Sequence, residues 1–373
     1  MNYRRTGERL PIENYTGCLV GGAVGDALGA PVEFDSIAGI RSRYGQEGVG
    51  DYVEFRDGHG EFTDDTQMTL FTAEGLLLAS HQASLKGIGP DLLTGTHHAY
   101  LRWLRTQGIP APREDVSNGA SDMGDGWLTG QEILHKQRAP GTTIVSALRS
   151  GKCGTVDAPI NNSKGCGTVM KVAPVGLIFH GNNREAFKVG CEISAITHGH
   201  PSGYLSAGFL ASVITDIAGG LSLMPSIQNA IDLLQEWRGH EETLSAVDMA
   251  VALYHHTKDH RLEVSAEEVE QLGGAWVAEE ALAISLYASL LFEDDFEKGV
   301  KLAVNHSGDS DSTGAVTGNI LGLIKGYDSI PLRWKDKLQG EGLVKQVAED
   351  LFVKVKGSEY SPDADWKEKY PAG

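Results

Sequence analysis

The sequence predicts an all-α fold. Through most of the chain, apolar residues recur at the three- and four-residue spacing of a helix face. Runs that alternate apolar and polar residues are few, and TVMKVAPVGLIF at 168–179 is the most ambiguous between helix and strand. No linker rich in Pro, Ser or Gly divides the chain, so we expect a single domain over residues 1–373. The predicted helices contain residues 19–29, 68–80, 204–220, 226–237, 246–256, 276–292 and 295–305.

Four glycines lie on one face of the first predicted helix. They follow each other at four-residue spacing, as Gly17, Gly21, Gly25 and Gly29. Each costs about 1 kcal/mol relative to alanine in a helix interior. We therefore expect another helix or a ligand to approach the backbone closely along this stripe.

An acidic cluster, EFTDDTQ at 61–67, comes directly before the second predicted helix. One interpretation is a capping box, with Asp64 as N-cap and Gln67 three residues later, which stabilises a helix by about 1 kcal/mol. A single cap does not require Thr63, Asp64 and Asp65 together, because adjacent carboxylates repel each other unless something neutralises them. Half of a cation site is the second interpretation.

Residues 161–171, NNSKGCGTVMK, combine glycines, hydroxyls and lysines ahead of an apolar segment. The backbone N–H groups of a glycine-rich turn that opens a helix can hold phosphate oxygens. The stretch is not a GxGxxG loop, because Met170 stands at the third glycine position. A phosphate site and an ordinary turn are both compatible with it. The surrounding region, 105–165, is expected to form ordered surface loops.

The stretch NHSGDSDSTGAVTG at 305–318 repeats the chemistry of the first acidic cluster. Asp309, Asp311 and Ser312 again precede an apolar segment, and hard oxygens from two helix starts suit Mg²⁺, Mn²⁺ or Ca²⁺. An EF-hand is excluded, since Ile320 stands where the twelfth loop position requires a glutamate. Zinc is not favoured, because the chain has no HExxH motif and no Cys/His ligand spacing.

Composition is typical of a cytoplasmic protein. The net charge of −18 disfavours nucleic acid and suits a site that concentrates cations. The four cysteines include no CxxC pair and follow no secretory apolar region, which indicates reduced thiols. The longest apolar stretch is too short for a membrane helix, which needs about 20 residues. We expect no association with membranes or nucleic acid, and a peripheral polar tail from about Gly357.

Six motifs lie in order between about residues 12 and 326: GCLVGGAVGDALGAPVEF, FTDDTQM, GCGTVMKVAPVGL, ITHGHPSGYLSA, GGAWVAEEALAISLY and VNHSGDSDSTGAVTGNILG. Together they resemble the ADP-ribosylglycohydrolase family, which includes the dinitrogenase reductase-activating glycohydrolases. The resemblance implies a single compact, orthogonal all-α domain. It also implies a binuclear metal cleft that holds two Mg²⁺ or Mn²⁺ ions.

The resemblance further implies which residues form the metal site. The ligands would be Thr63, Asp64, Asp65, Asp309, Asp311 and Ser312. Asp64 and Asp65 would also be catalytic carboxylates. Glu33 is a third catalytic candidate, and a surface or capping role is equally compatible with its position.

The substrate-binding residues that the resemblance implies are Gly165, Cys166, Gly167, Thr168, His198 and Tyr204. The four loop residues would hold the pyrophosphate, and His198 would lie near the ribose or phosphates unless it only packs or caps. Tyr204 or Trp276 would stack on adenine. Asp26 and Glu279 lie in apolar helical segments and are interpreted as internal polar groups that orient helices.

The implied activity is hydrolysis of the glycosidic bond between ADP-ribose and a protein side chain, by attack of water at C1 of the distal ribose. Arginine is the expected side chain, from the GDSDST form of the second cluster. One alternative is an O-linked substrate, on serine or as O-acetyl-ADP-ribose. The others are a non-catalytic protein that binds ADP-ribose or an ADP-ribosyltransferase, and a helical scaffold. The expected partners are therefore an ADP-ribosylated protein, ADP-ribose or an ADP-ribosyltransferase.

Overall fold

Helices account for the regular structure of the chain, as its periodicity predicts. The structure is a computed structural model and describes residues 9–56, 58–112, 126–262, 264–356 and 364–371. None of the helices in these ranges has the length and apolarity needed to cross a membrane. In chain order the α-helices are α1 Ile12–Gly29, α2 Ile37–Tyr44, α3 Asp64–Lys86, α4 Leu92–Thr106, α5 Thr142–Arg149, α6 Ala173–Ile178, α7 Asn183–Ala195, α8 Pro201–Ala218, α9 Leu223–Leu234, α10 Glu241–His260, α11 Ala266–Val269, α12 Ala278–Leu291, α13 Phe296–Val304, α14 Ser310–Lys325, α15 Leu332–Lys335, α16 Glu341–Lys356 and α17 Ala364–Lys369. Short 3₁₀ helices occur at Trp127–Gly130, Glu132–His135, Cys166–Lys171, Glu270–Leu272 and Tyr327–Ser329.

The described ranges contain no β-strand, and their extended pairing is limited to two isolated bridges, Phe55–Gly58 and Gly165–Val277. The ambiguous segment 168–179 is helical. It forms the end of the 3₁₀ helix Cys166–Lys171 and then α6, which carries Pro174 in its first turn. Proline fits there because the first turn of a helix does not need its N–H, whereas it would interrupt a central strand.

α1 and α14 pack against each other backbone to backbone, in antiparallel directions. The glycine stripe of α1 faces a second stripe on α14, formed by Gly314, Gly318 and Gly322. A Cβ added to Gly25 would overlap the backbone of Gly314, and one added to Gly29 would overlap that of Ser310. The expectation that a helix approaches this stripe closely is confirmed.

Three further helices complete the core around this pair. α8 and α12 are apolar on nearly all sides and are almost entirely buried. α3 contacts both α1 and α14. Outer helices such as α4, α9 and α13 are amphipathic and bury one face. The buried apolar side chains form one cluster that extends from Tyr15 to Tyr370.

Two of the expectations fall partly outside the described residues. Residues 113–125 of the loop-rich region and residues 357–363 of the tail lie outside them. Beyond residue 363 the tail differs from the expected peripheral position, because Trp366 and Tyr370 are buried. The Tyr370 hydroxyl donates to Asp350 Oδ2 at 2.8 Å. Large aromatic side chains explain this packing, since each buries a large apolar area.

We expect Gly25→Ala to lower the free energy of unfolding by about 1–3 kcal/mol or more, because its methyl group would force α1 away from Gly314. The matched control is Gly342→Ala in α16, where an added Cβ has open space. That change should stabilise the protein by about 0.4–1 kcal/mol, because it removes freedom from the unfolded chain. Denaturant unfolding of both variants measures the difference. Equal stability of Gly25→Ala and wild type would show that the two helices can separate without loss.

Candidate functional site

The two acidic clusters form the N-terminal ends of α3 and α14. Thr63 is the N-cap of α3, and its Oγ1 accepts from the Asp65 N–H at 3.3 Å. Asp309 is the N-cap of α14, and its Oδ1 accepts from the Ser312 N–H at 3.2 Å. Capping is therefore one role of both clusters, as the sequence allowed.

The predicted capping box between Asp64 and Gln67 is wrong, because Thr63 takes the cap position and Asp64 is the first helical residue. The Gln67 side chain points elsewhere. It accepts from Trp103 Nε1 at 3.0 Å and donates to the Lys136 carbonyl at 3.0 Å. Asp64 Oδ2 instead accepts from the Gly141 N–H at 3.0 Å, at the start of α5, and the charge of Asp309 in the second cluster acts on it.

Glu33 joins the second cluster. It follows the end of α1, and one carboxylate oxygen each from Glu33, Asp309 and Asp311 lie within 4.8 Å of one another. The sequence indicated Glu33 only as a catalytic candidate, because no spacing rule connects it with a helix that begins at Ser310. The close α1–α14 contact at Gly29 is what brings it there.

Burial and mutual repulsion shift the titration of these carboxyls. Burial raises the pKa of Asp64 to about 7, with further contributions from the charges of Asp26 and Asp309. Burial also raises the pKa of the half-buried Glu33 to about 8, and the charges of Asp309 and Asp64 add to this. The pKa values of Asp65 and Asp311 lie well above the ordinary range for the same two reasons, burial and nearby negative charge, and the charge of Asp65 acts on Asp311. So many buried carboxylates require protons or cations as compensation.

The donor atoms fit a hard divalent cation. All six predicted ligands, Thr63, Asp64, Asp65, Asp309, Asp311 and Ser312, are buried and offer oxygen. Asp65 Oδ2 is buried and has no hydrogen-bond partner, which is costly for a carboxylate unless a cation lies against it. Oxygen ligands alone, without thiolate or imidazole, suit Mg²⁺ or Mn²⁺ better than zinc.

Asp26 positions the start of α3 through hydrogen bonds. This fully buried residue of α1 accepts from the Thr63 N–H at 2.8 Å, and its Oδ2 accepts from the Thr66 N–H and hydroxyl at 3.0 and 2.5 Å. Burial raises the pKa of Asp26 to about 6, and these hydrogen bonds act against that rise. The interpretation of Asp26 as an internal group that orients a neighbouring helix is confirmed.

The glycine loop at 165–168 lies against the second cluster. The Cys166 thiol donates to Asp309 Oδ2 at 2.6 Å, and the Cys166 N–H donates to the Trp276 carbonyl at 3.3 Å. Both groups of Cys166 are therefore already engaged. The fully buried Thr168 donates its hydroxyl to the Gly165 carbonyl at 3.3 Å, which tightens the turn.

His198 supports this loop from the interior. A Cβ added to Gly165 or Gly167 would lie 3.4 or 3.2 Å from the His198 ring. Its Nδ1 pairs with Thr197 Oγ1 at 2.9 Å, and Thr197 Oγ1 also accepts from Lys171 Nζ at 2.9 Å. Burial, followed by the Lys171 charge, holds the pKa of His198 well below its usual range, so the imidazole is neutral. Packing under the glycine loop is thus one role of this histidine.

Glu279 fixes the other side of the loop. It forms an ion pair with Lys164, which also pairs with Glu242 at 2.8 Å. The Ala278 N–H donates to the Lys164 carbonyl at 2.8 Å, so the start of α12 and the loop are joined by backbone as well. Glu279 acts as an orienting group, as interpreted from the sequence.

The two aromatic candidates occupy different surroundings. Tyr204 is mostly buried in α8, and burial raises the pKa of its hydroxyl, with the charges of Cys191 and Asp157 adding to the effect. Trp276 is on the surface and stacks on Phe34, with ring centroids 5.6 Å apart and planes at 22°. Sequence reasoning missed Phe34, and its only signal was its position directly after Glu33.

Comparisons with known proteins identify the family and the fold. The family model for ADP-ribosylglycohydrolase matches residues 8–360. The chain is 25% identical to the ADP-ribosylarginine hydrolase Tri1 of Serratia proteamaculans, over 92% of this chain and 80% of that protein. It is 24% identical to the ADP-ribosyl-[dinitrogen reductase] glycohydrolase of Rhodospirillum rubrum, over 86% and 89%.

A solved structure described as an ADP-ribosylglycohydrolase-related protein complex has the same fold. It superposes with a TM-score of 0.60 at 23% identity, over 92% of this chain and 98% of that one. The family match extends through both acidic clusters, the glycine loop and the helices that hold them. The chain therefore belongs to the ADP-ribosylglycohydrolase family and is an enzyme of that family.

Proposed function

We propose that this enzyme hydrolyses the N-glycosidic bond between ADP-ribose and an arginine side chain of a modified protein. The observation that carries the proposal is the convergence of Glu33 with Asp309 and Asp311, beside a glycine loop that bonds Asp309. Asp64 and Asp65 are near enough for the charge of Asp309 to act on both. The name of the Serratia relative, an ADP-ribosylarginine hydrolase, supports arginine as the linked side chain.

The acidic residues would hold two Mg²⁺ or Mn²⁺ ions, with the predicted ligands Thr63, Asp64, Asp65, Asp309, Asp311 and Ser312. The unpartnered Asp65 Oδ2 and the oxygen-only donor set support this assignment. When bound, the ions would supply Lewis acidity and orientation for the ribose hydroxyls and the attacking water. Glu33 lies close enough to Asp309 and Asp311 to share in the same site.

The reaction needs a carboxyl group that exchanges a proton. A water oxygen forms a bond to C1 of the distal ribose and gives up one proton, the bond from C1 to the arginine nitrogen breaks, and the leaving guanidine takes up one proton. Glu33 is the half-buried member of the cluster, and its raised pKa lets it hold a proton near neutral pH. We assign it the proton transfer, with Asp64 or Asp65 as the second candidate.

The glycine loop would hold the diphosphate of ADP-ribose. Gly165, Gly167 and Thr168 are supported by the neutral His198 beneath them and by Lys164 beside them, whose ion pair with Glu279 fixes the turn. Cys166 contributes through its thiol, which connects the loop to Asp309. A diphosphate on the loop would therefore place the distal ribose toward the carboxylates.

Release of ADP-ribose from an arginine-modified protein should require Mg²⁺ or Mn²⁺ and stop with EDTA. Asp311→Asn should lower kcat/KM by more than about 100-fold, because it removes a charged oxygen from the cation site and leaves the volume unchanged. The matched control is Asp294→Asn, since the Asp294 side chain is fully exposed. Its activity should equal that of wild type. Chromatographic quantification of free ADP-ribose measures both.

The other outcomes of this experiment are informative. Metal-dependent binding of ADP-ribose without release from arginine would overturn the arginine assignment and direct the assay to serine-linked substrate. Release that is unaffected by EDTA and by Asp311→Asn would show that the carboxylates are helix caps alone.

The stabilisation of the protein by Mg²⁺ should increase with pH. The raised pKa values of Asp64 and Glu33 mean that the folded, metal-free protein binds more protons than the unfolded chain between about pH 4 and 8. This contribution to stability is present below about pH 4 and is lost as the pH rises through about 7 and 8. Mg²⁺ competes with those protons, so the increase in melting temperature on adding Mg²⁺ should be larger at pH 8 than at pH 6.

Asp311→Asn provides the control for this prediction. It removes one of the mutually repelling charges, so the metal-free variant should melt above wild type at pH 8 while gaining little from Mg²⁺. Equal Mg²⁺-induced shifts in the two proteins, or a larger shift at pH 6, would contradict the assignment.

A further inference from the structure

Two solvent-exposed aromatic rings stack beside the site. The exposed fraction is 80% for Phe34 and 46% for Trp276, and both rank among the largest exposed apolar side chains of the described residues. Their rings are nearly parallel, at 22°, with centroids 5.6 Å apart. Offset stacking of this kind stabilises a contact by an amount equivalent to a roughly 2- to 12-fold change in an equilibrium constant.

The segment that carries Phe34 also carries Glu33. It is anchored on one side by the fully buried Val32 and on the other by the Ile37 N–H, which donates to Ser307 Oγ at 2.8 Å. Between these anchors one backbone bond, from the Asp35 N–H to the Val32 carbonyl at 2.9 Å, closes the turn. Glu33 lies at its tip, and one of its carboxyl oxygens is within 4.8 Å of oxygens of Asp309 and Asp311. Because that one bond closes the turn, a contact made by the neighbouring Phe34 side chain contributes to the position of the Glu33 carboxyl.

Trp276 is attached to the opposite side of the site. Its carbonyl accepts from the Cys166 N–H, and its indole covers Gly274, where an added Cβ would lie 3.2 Å from the ring. The Gly274 carbonyl in turn accepts from the Asp309 N–H at 3.0 Å. Trp276 therefore belongs to a loop, 274–276, that is hydrogen-bonded both to the glycine loop and to Asp309.

We propose that Trp276 is a positioning residue, whose stack with Phe34 holds the segment that carries Glu33 in place beside Asp309 and Asp311. The inference rests on the proposed function to the extent that Glu33 acts in it, but the position of the segment can be measured without turnover. The competing interpretation is that the two rings contact the modified protein directly.

Amide hydrogen exchange of the peptide 30–37 tests the position of the segment. Opening breaks the Asp35 N–H bond, so Trp276→Ala and Phe34→Ala should each speed exchange there by roughly 2- to 12-fold. Trp276→Phe retains a ring and should stay near the wild-type rate. The double variant should exchange no faster than the faster single variant, because both changes remove the same contact. Leu332→Ala, at a similarly exposed apolar residue, is the matched control and should change nothing.

Steady-state kinetics then separate positioning from substrate contact. Positioning predicts that Trp276→Ala lowers kcat by up to the same factor, with KM unchanged and with recovery in Trp276→Phe. A raised KM with unchanged exchange at Asp35 would assign the rings to the substrate and overturn the proposal. Unchanged exchange in both single variants would also overturn it. If wild type releases no ADP-ribose, the proposed function fails, while the exchange comparison still decides whether the stack holds Glu33.

Discussion

The backbone contact between α1 and α14 is the constraint on which the site depends. Glycine facing glycine lets the two helix axes approach until carbonyls and Cα atoms touch. Because the helices are antiparallel, the end of α1 meets the beginning of α14, and Glu33 comes to lie beside Asp309 and Asp311. Asp26, in the last turn of α1, accepts hydrogen bonds from the start of α3 and so holds it at this same end of the helix. One interface thus sets the relative positions of all three acidic segments.

The concentration of buried negative charge is opposed by groups that the fold directs toward it. Helix N-termini favour nearby anions, and α3 and α14 both begin at the site. Backbone N–H groups of Gly141 and Ser312 donate to Asp64 and to Asp309, and the Cys166 thiol donates to Asp309 as well. These contacts are hydrogen bonds from neutral groups. They orient the carboxylates without neutralising them, which leaves the charge available for a cation.

Features that depend on local sequence patterns could be predicted from the sequence, and features that depend on contacts between distant residues could not. The apolar period gave the helices, and the glycine stripe indicated a close neighbour, because both are local patterns. The two acidic helix starts could be identified for the same reason. Local rules failed where tertiary contacts decide. Gln67 bonds Trp103 instead of completing the cap that its spacing from Asp64 predicts. Glu33 could be connected with the acidic site only through the family resemblance, because no spacing rule relates positions so far apart. The stack of Phe34 on Trp276 gave no signal, since exposed aromatic residues follow no period.

The same α1–α14 interface has a consequence for synthesis on the ribosome. α1 emerges before α14, and its four interface glycines make it a weak helix in isolation. Its partner is complete only when residue 325 has been made, roughly 15–60 s later at ordinary rates of translation. Until then the apolar surface of α1 has no α14 to cover it, and Glu33 cannot meet Asp309. The nascent chain therefore passes through a long interval in which α1 is exposed to aggregation and to chaperones, and the site is assembled only after α14 has been made.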